Sequence, residues 1–195
     1  MSMPVRLRRK AKTVEWTCNS DPRKLDAMYV RLLGEGGDKL LSDEVKWLAI
    51  THKSFDQGKR GFNDRLSYLG KRIVDLQTSM ALVSAPRGRS AQGPDEYDRV
   101  PFHHPALEGL ANLSERTKAE MLGKTRVAQL AQNQGLDKVM RWKPRKADNL
   151  LGSGQDVVLA QALYGIIGAL ALERGGEVAA RITKEKILEP LGVVF

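Results

Sequence analysis

A helical stripe between Asn63 and Val83 constrains the fold of this 195-residue chain more than any other feature. Leu66, Leu69, Ile73, Leu76, Met80 and Val83 recur at alternating spacings of three and four, the period that gathers side chains on one face of an α-helix. Asn63 follows Gly61 and is a good N-cap, so the helix is expected to start there. Ser67, Lys71 and Asp75 step along a second face at four-residue spacing. By pattern alone, that polar line is the solvated side of a core helix. A second run, Val157 to Leu172, is apolar nearly all round and must be covered on every side. It holds Gln161, Gly165 and Gly168 and falls short of the roughly 20 residues that cross a bilayer, so a buried helix is expected.

The rest of the chain is also helical by its punctuation. Asp21-Pro22 opens a helix with Pro at its first position, Leu25, Met28, Leu32 and Leu33 give it a face, and Gly34, Gly36 and Gly37 stop it. Ser42-Asp43-Glu44 starts another, with Val45, Leu48 and Ala49 inward, ending near Thr51-His52. His52, alone at a helix end, reads as a capping or packing residue. Ser114 caps a helix running to about Leu122 and Thr125 caps the next, with Val127, Leu130 and Ala131 inward and Gly135 closing it. Glu177 to Leu188 makes a last helix before Pro190. With no strand-like alternation and no internal repeat, the expected class is all-α. The expected organisation is a basic N-terminal arm over residues 1–20 and a helical domain over residues 21–195. Within that domain the Pro- and Gly-rich stretch 84–105 forms a long loop suited to contacting a partner. His103-His104 lies in that loop without a third ligand nearby, which argues against a metal site.

Composition narrows the function. The net charge is +9 and the isoelectric point about 9.8, which points to a polyanionic partner, nucleic acid first. An anionic membrane surface is second, but no basic amphipathic helix with aromatic anchors stands out. Cys18 is the single cysteine, so no disulfide can form within the chain, and no His or Asp beside it suggests a nucleophile. Two basic stretches are candidate RNA contacts. One is the arm, with Arg6, Arg8, Arg9, Lys10 and Lys12 and no acid before Glu15. The same arm has the composition of a mitochondrial targeting segment. The other is Lys138, Arg141, Lys143, Arg145 and Lys146, interleaved with Trp142.

The wording of the first helix adds a resemblance. Thr51-His52-Lys53-Ser54, a short loop, and then Asn63-Asp64-Arg65-Leu66-Ser67-Tyr68-Leu69-Gly70-Lys71 resemble the signature of the ribonuclease III nuclease domain, whose helix reads Asn-Glu-Arg-Leu-Glu-Phe-Leu-Gly-Asp. Thr125 to Met140 resembles the family's helix-Gly-Leu segment, and Gln155 to Gly176 its second acidic helix, where Gly168-Ala169 and Leu172-Glu173 match. The resemblance covers roughly residues 22–190. It implies that the four metal-binding carboxylates of the family fall on Ser67, Lys71, Gln161 and Tyr164, none of which is acidic. Mg²⁺ requires anionic oxygen in octahedral array. These replacements move such a site from about −4 to about +1, and an ammonium at position 71 repels a divalent ion at close range.

The resemblance therefore implies a pseudoenzyme with no metal and no other cofactor. It is similar to the catalytically degenerate ribonuclease III-like proteins of the fungal-type mitochondrial large ribosomal subunit. That likeness implies a structural protein bound to rRNA in the mitochondrial matrix, beside other large-subunit proteins. It also implies pairing with a second ribonuclease III-like subunit as a heterodimer. Tyr68 lies off the apolar stripe and is the expected partner contact, while Leu69, Ile73 and Leu76 are expected to pack on the Val157–Leu172 helix. Two rivals stay open at this point: a free RNA-binding or processing factor, and a metal-dependent double-stranded RNA endonuclease completed by a partner's carboxylates.

Overall fold

A computed structural model describes residues 16–85, 96–100, 102 and 104–193. The residues of the basic arm before Trp16, most of the 84–105 loop and His103 lie outside these. Seven α-helices follow one another: α1 (Pro22–Leu33), α2 (Asp43–Ala49), α3 (Asp64–Ser84), α4 (Glu115–Met121), α5 (Lys124–Asn133), α6 (Gln155–Arg174) and α7 (Gly176–Thr183). Among the described residues there is no strand, only an isolated parallel bridge between Thr51 and Arg141. The all-α expectation holds.

Helix α6 is the axis of the domain. Every residue from Ala162 to Leu170 is buried, and α2, α3, α5 and α7 all pack on it. At about 1.5–3 kcal/mol for each large aliphatic side chain withdrawn from water, Leu159, Leu163, Ile166, Ile167 and Leu170 are a main source of stability. By length and composition α6 could also span a bilayer, being longer than the apolar run within it. Its cover comes largely from its own chain, as expected of a buried helix.

The packing of α3 corrects the reading of its stripe. Leu66, Leu69 and Ile73 are only half-buried, and Leu76, Met80 and Val83 are exposed. The buried face is instead Ser67, Gly70, Val74, Gln77, Thr78, Ala81 and Leu82. The reason is the closeness of α3 to α6. A Cβ on Gly70 would collide with the carbonyl oxygen of Tyr164, and a Cβ on Gly168 with the carbonyl oxygen of Leu66. Backbones this close leave room for small side chains only around Gly70, and Leu66, Leu69 and Leu76 are displaced to the flank and the surface.

Several local expectations are met. Asp21 accepts from the Arg23 amide at 2.9 Å and caps α1, and Ser114 accepts from the Thr117 amide at 3.0 Å and caps α4. Others shift. Asn63 does precede α3, but its side chain donates to the Ala49 carbonyl at 2.8 Å instead of capping. The Ser42 hydroxyl donates to Glu173 at 2.6 Å, fastening the start of α2 to the end of α6. Helix α5 starts one residue before Thr125, at Lys124. The tail of the long loop folds into a 3-10 helix, Pro105–Asn112, with His104 accepting from the Ala106 amide as its cap. The last helix changes to π geometry over Lys184–Leu188.

Lys46 departs from the pattern of α2 because it is buried. Its ammonium lies 2.6 Å from Asp26 and 2.7 Å from Asp43. Burial alone would lower its pKa, but the hydrogen bonds to the two carboxylates outweigh this and raise it.

Replacing Gly70 by Ala should cost about 1–3 kcal/mol, because α3 must back away from α6. Urea unfolding monitored by circular dichroism measures it. An unchanged midpoint would show that the two backbones need not approach so closely.

Candidate functional site

Ser67 and Lys71 on α3 and Gln161 and Tyr164 on α6, nearly a hundred residues apart in sequence, line one cleft of about 520 Å³. The fold thus brings together the four positions that the resemblance singled out. Ser67 is buried rather than solvated, so the polar line of α3 is the wall of a cleft and not an outer face. Asp75 continues that wall, and α4 and the start of α5 close the other side with Glu115, Lys118 and Lys124. No signal in the sequence pointed to these last three, because their separation from α3 is bridged only by the fold.

The chemistry of the four positions follows from their partners. The Gln161 amide donates to Asp64 at 2.5 Å and to Asn63 at 3.2 Å. Asp64 also faces the Lys53 ammonium at 3.7 Å. The first acid of α3 is therefore held in an internal network. Tyr164 is 9% exposed. Burial, helped by the charge of Asp75, pushes its phenol up to about 12, so at neutral pH it can donate a hydrogen bond but cannot serve as an anionic ligand. Lys71 is exposed at the cleft. Among the described residues no group of three His, Cys, Asp or Glu side chains is placed to hold a metal ion.

The basic run is divided by the fold. Arg141 is a structural residue. Its guanidinium lies 3.5 Å from the centre of the Trp47 ring, and burial, with the nearby charge of Arg60, holds it below its ordinary value. Its backbone closes the bridge to α2, accepting from His52 at 2.8 Å and donating to Ile50 at 3.0 Å. Trp142, the aromatic set within the basic run, is 2% exposed. It meets Trp16 edge-on at 5.7 Å, and its carbonyl accepts from the Trp16 indole at 2.6 Å and from the Cys18 thiol at 3.1 Å. An aromatic in a basic run served the core here. Lys138, Lys143, Arg145 and Lys146 remain exposed. Arg6, Arg8, Arg9, Lys10 and Lys12 lie outside the described residues, but the arm joins the domain at Trp16, next to this run.

Tyr68 points outward at 66% exposure, with the Arg72 guanidinium 5.1 Å above its ring. Further along α3, Leu76, Met80 and Val83 of the apolar stripe are also exposed. The 3-10 helix Pro105–Asn112 lies against the end of α3, where Asn112 donates to the Leu82 and Ala85 carbonyls at 3.2 and 3.0 Å. It adds the exposed Leu107 and Leu110.

His52 has the packing role expected of it. Its Nδ1 accepts from the Ser54 amide at 3.1 Å, and the Ser54 hydroxyl accepts from the Lys143 amide at 2.9 Å. The ring thus steadies the junction between α2 and the basic run.

A helical domain with a cleft between two crossing glycine-bearing helices is the frame of a nuclease family, and the match is direct: residues 42–191 fit the ribonuclease-III-like family, to which the chain belongs. It is 47% identical over 178 residues to large ribosomal subunit protein mL57 of Neurospora crassa, covering 91% of this chain and 66% of that protein. It is 30% identical over 173 residues to ribonuclease 3 of Pseudomonas fluorescens, covering 85% of this chain and 60% of that one. The chain thus spans two thirds or less of the length of these relatives. The nuclease domain of ribonuclease III from Campylobacter jejuni has the same fold, with a TM-score of 0.55 and 24% identity over 87% of this chain and 97% of that domain.

Burial lowers the His52 pKa below its ordinary value, with the charge of Asp64 opposing and that of Lys53 reinforcing the shift. The unfolded chain therefore binds the proton more tightly, and the contribution of His52 to stability is lost as pH falls from about 6.5 through the folded-state value. Compared with His52→Asn, which keeps an acceptor for the Ser54 amide, the wild type should lose more stability between neutral and mildly acidic pH. Urea midpoints across that range measure the difference. Parallel curves would remove His52 as the cause.

Proposed function

We propose that the protein is a structural component of the mitochondrial large ribosomal subunit that binds rRNA through a catalytically inactive ribonuclease III-like domain. The observation that carries this is the make-up of the cleft. At the places of the family's four carboxylates stand a serine, an ammonium, a glutamine and a neutral phenol, and the glutamine occupies the nearest acid, Asp64. The high identity to a large-subunit ribosomal protein supports the ribosomal setting, and the net charge of +9 supports an RNA partner. The Arg-rich, acid-poor start of the chain supports the mitochondrial location. The RNA contacts of this reading are the arm residues and the exposed Lys138, Lys143, Arg145 and Lys146.

The same reading includes a ribonuclease III-like partner subunit. The exposed Leu76, Met80 and Val83, extended by Leu107 and Leu110, and the exposed Tyr68 beside them support it. So does the solved nuclease domain from Campylobacter jejuni that has a region involved in dimer formation. A stable pair buries about 800 Å² on each side. A heterodimer suits the ribosome better than a homodimer, because the ribosome offers no two-fold axis.

In a sucrose gradient of mitochondrial lysate the native protein should migrate with large subunits, and the purified protein should leave double-stranded RNA intact with Mg²⁺ or Mn²⁺. A light fraction would favour a free RNA-binding factor, and metal-dependent cleavage that survives purification would restore the nuclease reading. Tyr68→Asp should weaken the pairing while leaving helix content unchanged. Retention of the ribonuclease III-like neighbour in cross-linking of that variant would show that Tyr68 is not in the interface.

A further inference from the structure

The cleft that supports the absence of catalysis is itself well equipped to bind. Three ammonium groups line it, Lys71, Lys118 and Lys124, from three different helices. Among the described residues Lys71 and Lys124 have no ion-pair partner, while Lys118 is matched by Glu115 at 2.8 Å. The hydroxyls of Ser67 and Tyr164 also line the cleft and have no hydrogen-bond partner among the described residues; the side chains are largely buried, but the hydroxyl oxygens stay open to the cleft. Helix α5 starts at the cleft through Gly123 and Lys124, with no side chain capping its N-terminus. Free amides and the positive end of a ten-residue helix add to the charge of the lysines.

Donors therefore converge where the family's reaction would require acceptors. We propose that this cleft is a metal-free binding site for an RNA backbone, in which Lys71 and Lys124 contact phosphodiester oxygens directly and Ser67 and Tyr164 donate to them. The proposal rests on the RNA-binding reading above and adds a contact surface separate from the arm and the basic run. Asp75 favours RNA over a small anion as the occupant. Among the described residues it is the unpaired carboxylate of the lining, unfavourable to phosphate close by but able to accept from a ribose 2′-hydroxyl, which a small anion lacks. A volume of about 520 Å³ also exceeds the needs of one inorganic phosphate.

Fluorescence anisotropy with a labelled RNA duplex, in EDTA and over a range of KCl, tests this on the full chain. The variant Lys71→Glu with Lys124→Ala changes two exposed side chains, and circular dichroism checks that it folds. It should bind about tenfold or more weakly at low salt, with a slope of log affinity against log salt flatter by about 1.4–1.8, two phosphate contacts' worth. Lys71→Arg should bind like the wild type. A variant lacking residues 1–12 should retain the full effect of the cleft substitutions. Unchanged affinity and slope in the double variant, with a loss on removing residues 1–12, would overturn the cleft proposal and leave RNA binding in place. No RNA binding by the wild type would overturn both. Loss of binding in EDTA would show a metal bridge in place of ammonium contacts. Displacement of RNA by inorganic phosphate beyond the effect of chloride at equal ionic strength would show a small-anion site. Either of these last two results would also overturn the proposal.

Discussion

The approach of α3 to α6 at Gly70 and Gly168 governs the rest of the molecule. Two helices normally stand 8–10 Å apart with side chains between them, but here a methyl group at either glycine meets a carbonyl oxygen of the opposite helix. This closeness sets what each helix can offer. On α3 the positions buried beside the crossing are small or polar, such as Ser67 and Gly70, and Leu66, Leu69, Leu76 and Met80 are left to the flank and the surface. On α6 the faces away from α3 carry the bulky residues that α2, α5 and α7 cover. It also holds the polar residues of both helices in one cleft, because Ser67 and Lys71 flank Gly70 as Gln161 and Tyr164 precede Gly168.

That arrangement explains what was legible in the sequence. The helices, their order and most of their starts follow from caps and periods that act within a few residues, such as Asp21 for α1 and Ser114 for α4. The four cleft positions were legible through their resemblance to a motif. The stripe of α3 was misread because periodicity shows that apolar residues share a face, and says nothing about what lies opposite it. A face of leucines is a core when there is room for it. Gly70, one residue in the line of polar neighbours, carried the contrary signal. Trp142 was misread for a related reason. A basic run with an aromatic fits a nucleic-acid surface, but the indole found Trp16, a partner 126 positions away that no local pattern reveals. The burial of Lys46 was likewise invisible, since it depends on Asp26 from a different helix.

Charge is distributed in this protein according to whether it is compensated. Where a cation is buried or stacked, as at Lys46 and Arg141, carboxylates or aromatic faces satisfy it, and its work is structural. Where cations have no counter-charge among the described residues, as at Lys71, Lys124, Lys143, Arg145 and Lys146, they stand on surfaces or in the cleft. An excess of +9 held in this way favours binding to a polyanion and makes that binding depend on salt.

The hydrogen bond from Gln161 to Asp64 has a consequence for how such a chain can change. An amide and a carboxylate at 2.5 Å are a donor and an acceptor. An acid placed at position 161 would set two carboxylates against each other in a partly buried place with no ion between them. One of them would have to take up a proton. An acid at position 161 alone therefore does not make a metal site, because Lys71 still stands in the same cleft and repels a divalent ion. A carboxylate at position 161 and the loss of the ammonium at position 71 would have to come together, so single substitutions leave the cleft inhospitable to a divalent ion.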